Sequence, residues 1–243
     1  MKIFVFLFPT TLFLIFLCIK LVLPDVYISL IQEDSVIEYM QAVFYLISSI
    51  IAFLVSIKFL RNKMTLNGVL YSILAIGLLF IFLEEVSWGQ RIFNIANPAY
   101  FKQHNVQNEI SLHNLKVVQR KLHKIYILIG AYGAFAWIFA SLFMSRAKAN
   151  YCHIVNYAAP DWFISSYFFF TFFIYTLFDY ISHPHPGSFL VWRDQEPMEL
   201  LLSLGFLSFV VTNYVRLRIC LTLIRPPVVK SKRGLRSNLN IDI

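Results

Sequence analysis

Hydrophobic residues run along most of this chain in long blocks that short polar segments separate. Six of these blocks approach or exceed the length of roughly 20 residues at which an α-helix crosses the hydrocarbon core of a bilayer. They cover residues 3–23, 37–60, 68–85, 125–145, 162–181 and 198–215. The pattern predicts an all-α fold, a polytopic transmembrane helical bundle of about six spans.

The composition agrees with lipid as the main solvent of this chain. Hydrophobic residues make up 58% of the sequence and charged residues only 14%, and the mean hydropathy is +0.66. A soluble domain typically carries a charged fraction of about 25%. We therefore expect residues 1–224 to form one transmembrane domain and residues 225–243 to form a basic cytoplasmic tail, with no separate soluble domain.

The distribution of Lys and Arg predicts the orientation. With six spans, both termini fall on one side of the membrane, together with thirteen of the 21 basic residues. The positive-inside rule then places both termini in the cytoplasm, although the loop 86–123 carries five of the eight opposing charges. The net charge of +8 is explained by topology and contact with lipid. We expect no nucleic-acid partner, and we expect a location in a bacterial inner (cytoplasmic) membrane.

Acidic residues and histidines collect on the opposite, outer side. Eleven of the thirteen Asp and Glu residues lie there, with five of the six histidines. Longer outer loops explain part of this bias. They do not explain carboxylates at the span ends themselves, because burying such a group costs free energy unless it is paired. The bias favours a polar site at the outer membrane interface.

The third predicted span ends in a polar segment. It reads Glu84-Glu85-Val86-Ser87-Trp88-Gly89-Gln90-Arg91. If the helix continues to Arg91, this arginine and Glu84 share one helix face with the serine and the tryptophan between them. One interpretation is a tryptophan and a Glu–Arg pair that anchor the span at the interface. The other is that one carboxylate, Glu84 or Glu85, binds a metal or acts as a general base while its neighbour fixes Arg91 or Gln90.

The following loop contains a second Glu and His pair. Glu109 and His113 are four residues apart, so a helix that starts near Asn108 would stack the carboxylate on the imidazole. Such a pair fits a metal ligand oriented by a carboxylate. It equally fits a connecting helix in which the pair only caps and solubilises the chain.

The fifth predicted span ends in a third cluster, which reads Asp179-Tyr180-Ile181-Ser182-His183-Pro184-His185-Pro186. Asp179 and His183 are again one helical turn apart. The prolines direct the chain out of the helix, so His183 and His185 would lie on a stiff, extended segment. Two histidines so spaced can bind one metal ion, yet the same pattern occurs in ordinary proline-rich turns.

Two short patterns carry a resemblance to a family of uncharacterised bacterial multi-pass membrane proteins. They are Glu84-Glu85-Val86-Ser87-Trp88-Gly89-Gln90-Arg91-Ile92-Phe93, and Asn105-x-Gln107-x-Glu109 with Leu112-His113-Asn114. The resemblance covers residues 80 to 115 and implies a membrane location without a known activity. The chain is also loosely similar to alkaline ceramidase-like membrane hydrolases, whose seven spans hold a zinc site of His and Asp. It departs from them in its six predicted spans and in lacking Ser-x-x-x-His and His-x-x-x-His, so no catalytic residue is carried over.

The joint placement of these clusters favours an enzyme that acts on a lipid or lipid-linked substrate, as a metal-assisted hydrolase or a transferase. Zn²⁺ or another divalent metal is the expected cofactor, because histidine and carboxylate ligands suit it. The expected catalytic residues are Glu84, Glu85, Arg91 and Glu109, with Arg91 holding an anionic head group. The expected metal ligands are His113, His183 and His185, with Asp179, Asn114 and Gln90 as their hydrogen-bond partners.

Two alternatives from other classes remain open. One is a non-enzymatic membrane subunit, for example a protein partner in an envelope-polysaccharide or secretion machine, whose polar cluster is a structural network. The other is a small ion-coupled transporter, because carboxylates at span ends can relay protons or bind cations. Transport predicts acids or broken helices near the midplane of the membrane, and Gln41, Gly130 and Gly133 are modest interruptions there.

Overall fold

The described part of the computed structural model is almost entirely helical. It covers residues 1–32, 35–90, 93–105, 109–144, 149–185 and 187–224, and in these ranges the β-structure is one isolated bridge between Asn105 and Leu115. The α-helices are α1 (Lys2–Val22), α2 (Pro24–Ile31), α3 (Val36–Arg61), α4 (Thr65–Glu85), α5 (Ala99–His104), α6 (Lys116–Met144), α7 (Ala149–Ala158), α8 (Ser165–Thr176) and α9 (Glu196–Ile224). The predicted all-α class is confirmed.

Six helical stretches of the described chain are long and apolar enough to cross a membrane. They contain α1, α3, α4, α6, α8 with its flanking turns, and α9. This number agrees with the six spans expected from the hydrophobic blocks, and it fits an integral membrane protein. The predicted basic tail, residues 225–243, lies outside the described residues.

Helix α3 packs along both α4 and α9, while α8 packs on α6 and α9. Small polar side chains join α3 to α4. Ser49 Oγ donates to the carbonyl of Ala75 at 2.8 Å, and Ser56 Oγ donates to the carbonyl of Gly68 at 2.8 Å. Such hydrogen bonds between helices are a usual means of helix association in lipid.

The two ends of the bundle differ in chemistry. We call the end where α3, α6 and α9 begin and α1, α4 and α8 end the acidic end. There Lys20 of α1 pairs with Asp194, which also accepts a hydrogen bond from Tyr27 Oη at 2.8 Å. At the opposite end, Arg216 of α9 pairs with Asp161. One ion pair therefore connects the turn before α9 to α1, and the other connects the opposite end of α9 to the residue before the turn that leads into α8.

Candidate functional site

Glu84 anchors the loop that follows α4. Its Oε1 accepts a hydrogen bond from Trp88 Nε1 at 2.6 Å, and its Oε2 accepts the backbone N–H groups of Leu112 and His113 at 2.7 and 2.9 Å. The His113 ring nitrogen Nδ1 lies 3.2 Å from the same Oε2. Only 4% of Glu84 is exposed. Four donors therefore occupy a buried carboxylate, which is the pattern of a structural anchor.

Glu109 organises the other half of the same loop. Its carboxylate accepts hydrogen bonds from Ser87 Oγ, from Ser111 Oγ at 3.0 Å and from Asn114 Nδ2 at 2.6 Å. Gln90 Oε1 accepts the backbone N–H of Ile110. The loop is thus joined by buried hydrogen bonds to the turn directly after α4.

Helix α4 ends at Glu85, the last residue of the third hydrophobic block. Ser87 and Trp88 have φ of 48° and 54°, so the helical continuation considered for this segment does not form, and Arg91 lies outside the described residues. The i to i+4 contact between Glu84 and Trp88 forms nevertheless. The helical pairing considered for Glu109 and His113 does not form either, because residues 109–115 are not helical and these two side chains have different partners.

Three glutamates meet inside the acidic end of the bundle, and we call them the acid cluster: Glu85 of α4, and Glu196 and Glu199 of α9. The Glu85 carboxyl group interacts electrostatically with both of the others, and also with Glu38 and Glu109. Glu85 is partly exposed as a residue, but its carboxyl group is buried inside the bundle. Within the described ranges it has no hydrogen-bond partner, in contrast to the neighbouring Glu84.

Two tyrosines hold Glu199 in place. Tyr126 Oη of α6 donates to Glu199 Oε2 at 3.1 Å, and Tyr175 Oη of α8 donates to Oε1. The two phenol rings stack in parallel, with centroids 4.5 Å apart. The Glu199 side chain therefore accepts hydrogen bonds from two buried hydroxyl groups on two different helices. These hydrogen bonds fix the orientation of the side chain.

Gln41 connects α3 to the acid cluster. Its Nε2 donates to the backbone carbonyl of Glu196 at 3.0 Å and lies 3.3 Å from Glu196 Oε2. The side chain is fully buried. Its Oε1 is a buried acceptor for which the described chain supplies no donor. A polar atom of this kind inside a bundle usually faces a ligand, a water molecule or a proton carrier.

His123 of α6 and Asp179 form a further pair beside the cluster. His123 Nδ1 lies 2.8 Å from Asp179 Oδ1, and the imidazole meets the Tyr175 ring edge to face at 5.1 Å. The predicted pairing of Asp179 with His183 is wrong. The last turn, Leu177–Ile181, is a π-helix, and its wider spacing places His183 Nδ1 against the carbonyl of Phe178, five residues earlier.

The predicted metal ligands have separate surroundings. His113 contacts Glu84, His183 contacts the carbonyl of Phe178, and His185 is exposed beside Ser188. Residues 182–185 are not helical, and Ser182 has an extended backbone conformation. Across the described residues, no group of three or more His, Cys, Asp and Glu side chains is arranged to hold a metal ion.

Sequence reasoning singled out Glu85 among the carboxylates at span ends and Gln41 as a polar interruption of a span, but it missed His123, Tyr126 and Tyr175 as their neighbours. Gln41, His123, Tyr126 and Tyr175 have no motif of their own. The available signal was a polar side chain inside an apolar span, which in lipid marks a functional or interhelical contact.

The loop after α4 lies next to the acid cluster. His113 is close enough to Glu196, and Glu109 is close enough to Glu85, for an electrostatic interaction. The acid cluster and the anchored loop therefore form one polar region at the acidic end. Closely spaced carboxylates in such surroundings divide the roles of acid and base, because ionising one favours proton retention by its neighbour.

Comparisons of this chain with protein-family models, with curated proteins and with solved structures found no match.

Proposed function

We propose that this protein is a membrane enzyme, a hydrolase or transferase, that uses acid–base chemistry at the acid cluster on a lipid or lipid-linked substrate. The observation that carries the proposal is the contrast between adjacent glutamates. Four donors occupy Glu84. The Glu85 carboxyl group is buried beside Glu196 and Glu199 and has no hydrogen-bond partner in the described chain, so a substrate that reaches the acid cluster can exchange a proton with it.

In this proposal Glu196 is the general base and Glu85 the general acid. Glu196, which Gln41 holds through Oε2, takes a proton from water or from an acceptor hydroxyl, whose oxygen attacks the carbonyl or phosphoryl centre of the substrate. Glu85, which like charges surround, gives a proton to the leaving group. Glu199 orients the hydroxyls of Tyr126 and Tyr175.

Lipid is the favoured substrate class because of where the cluster lies. Its members belong to spans α4 and α9, at the ends of apolar helices. A head group placed there meets polar side chains while its chains stay in the hydrocarbon region. A transporter or a non-enzymatic subunit would use the same residues for ion binding or for assembly.

The test is lipid turnover by protein purified in mild detergent and reconstituted with lipids extracted from its expression host. Mass spectrometry follows all lipid species with time. We expect the wild type to convert a lipid class and Glu85→Gln to be slower by about 100-fold or more, with unchanged circular dichroism. Asp25→Asn, an exposed change on α2, is the matched control. The absence of turnover in the wild type, or full turnover by Glu85→Gln, contradicts the proposal.

A zinc-assisted version of the reaction has one observation in its favour. His113 places Nδ1 beside Glu84 and leaves Nε2 without a hydrogen bond in the described chain, as in zinc-binding histidines oriented by a carboxylate. Elemental mass spectrometry of purified wild type and His113→Ala tests it. Near-stoichiometric zinc in the wild type that His113→Ala loses would support this version. If wild-type protein prepared without chelator contains no transition metal, the zinc-assisted version of the reaction is contradicted.

We further propose that the acidic end faces the outside of the cell and that both termini are cytoplasmic. Thirteen of the 21 Lys and Arg residues support this orientation. In a cysteine-free background, a membrane-impermeant maleimide should label Ser182→Cys on intact cells, and it should label Lys63→Cys only after permeabilisation. Labelling in the reverse order contradicts the orientation.

A further inference from the structure

Residues 93–104, which follow the turn after α4, present a surface of exposed aromatic and aliphatic side chains, and we call them the aromatic segment. Phe93 is 73% exposed, Ile95 48% and Tyr100 59%. Helix α5, which forms the second half of the segment, buries none of its residues. Large apolar side chains grouped at a protein surface mark contact with a partner or with a membrane. We therefore expect the aromatic segment to meet an apolar environment outside the chain.

Both ends of the aromatic segment are joined to the anchored loop. Before the segment, Gln90 Oε1 accepts the backbone N–H of Ile110. After it, Asn105 Nδ2 donates to the backbone carbonyl of Ser111 at 2.9 Å. Half of the segment is helical, with a rise of only about 1.5 Å per residue. The aromatic segment is therefore held close to the level at which α4 ends and α6 begins.

The aromatic segment continues the exposed surface of α4. Phe80, on the apolar span Thr65–Glu85, is exposed, and its ring meets the Trp88 ring edge to face, with centroids 5.9 Å apart. The Phe93 ring lies against Gly89, where an added Cβ atom would be 3.0 Å from it. Exposed aromatic rings thus run from the span through the turn into the segment. Tryptophan and tyrosine at the ends of spans typically lie at the level of the lipid head groups.

The charge of this region favours anionic head groups. Residues 93–104 contain no Asp or Glu, although they lie at the acidic end of the bundle. Lys102 of the aromatic segment and Lys121 and Lys124 of α6 are exposed. Aromatic and aliphatic side chains beside lysines are typical of a segment that lies in the plane of the membrane interface. Contact with lipid phosphate groups also explains why the loop 86–123 holds five Lys and Arg residues, which its predicted outer location disfavours.

We propose that the aromatic segment lies in the head-group region of the bilayer beside α4 and binds anionic phospholipid. Phe93, Ile95 and Tyr100 enter the boundary between head groups and hydrocarbon, and the lysine ammonium groups meet lipid phosphate. Either orientation of the bundle places the acidic end at a membrane surface, so this binding does not depend on which side is cytoplasmic. It is also independent of the chemistry at the acid cluster.

Fluorescence quenching in liposomes tests the location of the segment. In a cysteine-free background, Tyr100→Cys and His185→Cys are labelled with bimane. Iodide quenches a label in water, and phospholipid brominated on its acyl chains quenches a label in the bilayer. His185, exposed in the loop after α8 at the same end of the bundle, is the control. We expect brominated lipid to quench the Tyr100→Cys label and iodide to quench the His185→Cys label.

The preference for anionic lipid is measured on the same labelled protein. Liposomes of phosphatidylglycerol and phosphatidylcholine in equal amounts carry bromine on one lipid or on the other. We expect brominated phosphatidylglycerol to quench the Tyr100→Cys label about fivefold more strongly, which corresponds to one lysine near an anionic surface. Lys102→Gln should remove most of this difference. Lys63→Gln, an exposed change at the opposite end of the bundle, should leave it unchanged.

Three results would overturn the proposal. Quenching of the Tyr100→Cys label by iodide and not by lipid would show that the aromatic segment lies in water. A label that neither iodide nor brominated lipid quenches would show that protein covers the segment. Equal quenching by the two brominated lipids would contradict the recognition of anionic phospholipid.

Discussion

Glu84 and Glu85 show how one position along a helix decides the environment of a carboxylate. Successive side chains on an α-helix point about 100° apart. Glu84 is consequently directed to the loop, where backbone and side-chain donors surround it, and Glu85 is directed to the acid cluster. The sequence indicated that the two carboxylates would have different partners, but it could not assign the partners.

The structural role of Glu84 leads to a prediction of stability. Glu84→Ala leaves the buried N–H groups of Leu112 and His113 without an acceptor, so we expect the free energy of unfolding to fall by about 2–4 kcal/mol. Glu85→Ala removes a side chain that has like charges around it and no partner in the described chain, so the stability should be unchanged or higher.

Thermal unfolding of the purified variants in one detergent measures this difference. Glu84→Ala should unfold at a clearly lower temperature than the wild type. Equal unfolding temperatures for the wild type and Glu84→Ala would show that the contacts of Glu84 do not hold the loop.

Among the elements, the spans were predictable and the turns between them were not. The length of an apolar run is a local property, and it located α1, α3, α4, α6, α8 and α9. The end of α4 depends on the positive φ angles of Ser87 and Trp88. The π-helix at Leu177–Ile181 also changes the partner of Asp179. Both features depend on tertiary contacts, which no local pattern encodes.

The close packing of α6 on α8 depends on glycine. A Cβ atom added at Gly130 would lie 2.7 Å from the backbone nitrogen of Phe172 and 2.9 Å from its Cα. Backbone atoms cannot move aside as a flexible side chain does, so Gly130→Ala must separate the two helices. We expect a loss of about 1–3 kcal/mol in the free energy of unfolding.

Gly77 of α4 provides the matched control for this change. A Cβ atom there meets nothing within 4 Å, so Gly77→Ala should be neutral or should stabilise the helix by up to about 1 kcal/mol. Unfolding temperatures of both variants test the difference. If Gly130→Ala is as stable as Gly77→Ala, the contact between α6 and α8 is looser than described.

At the scale of the whole molecule, the site is assembled from residues that lie far apart in the sequence. Gln41 and Glu196 are 155 residues apart in the chain, and Tyr126 and Glu199 are 73 apart. The sequence predicted that polar groups would meet at one end of the bundle, because the spans alternate in direction. It could not select the glutamates of α4 and α9 over the histidines, since that choice depends on which helix faces meet.

The central claim is that Glu85 is the reactive carboxyl group of the acid cluster, and a hydrophobic carbodiimide tests it most directly. This reagent modifies protonated carboxyl groups that it can reach from lipid, and peptide fragmentation locates the modified residue. The wild type should be labelled at Glu85 and not at Glu84, and Glu85→Gln should lose that label. Labelling at Glu84, or an unlabelled Glu85 in folded protein, would contradict the account.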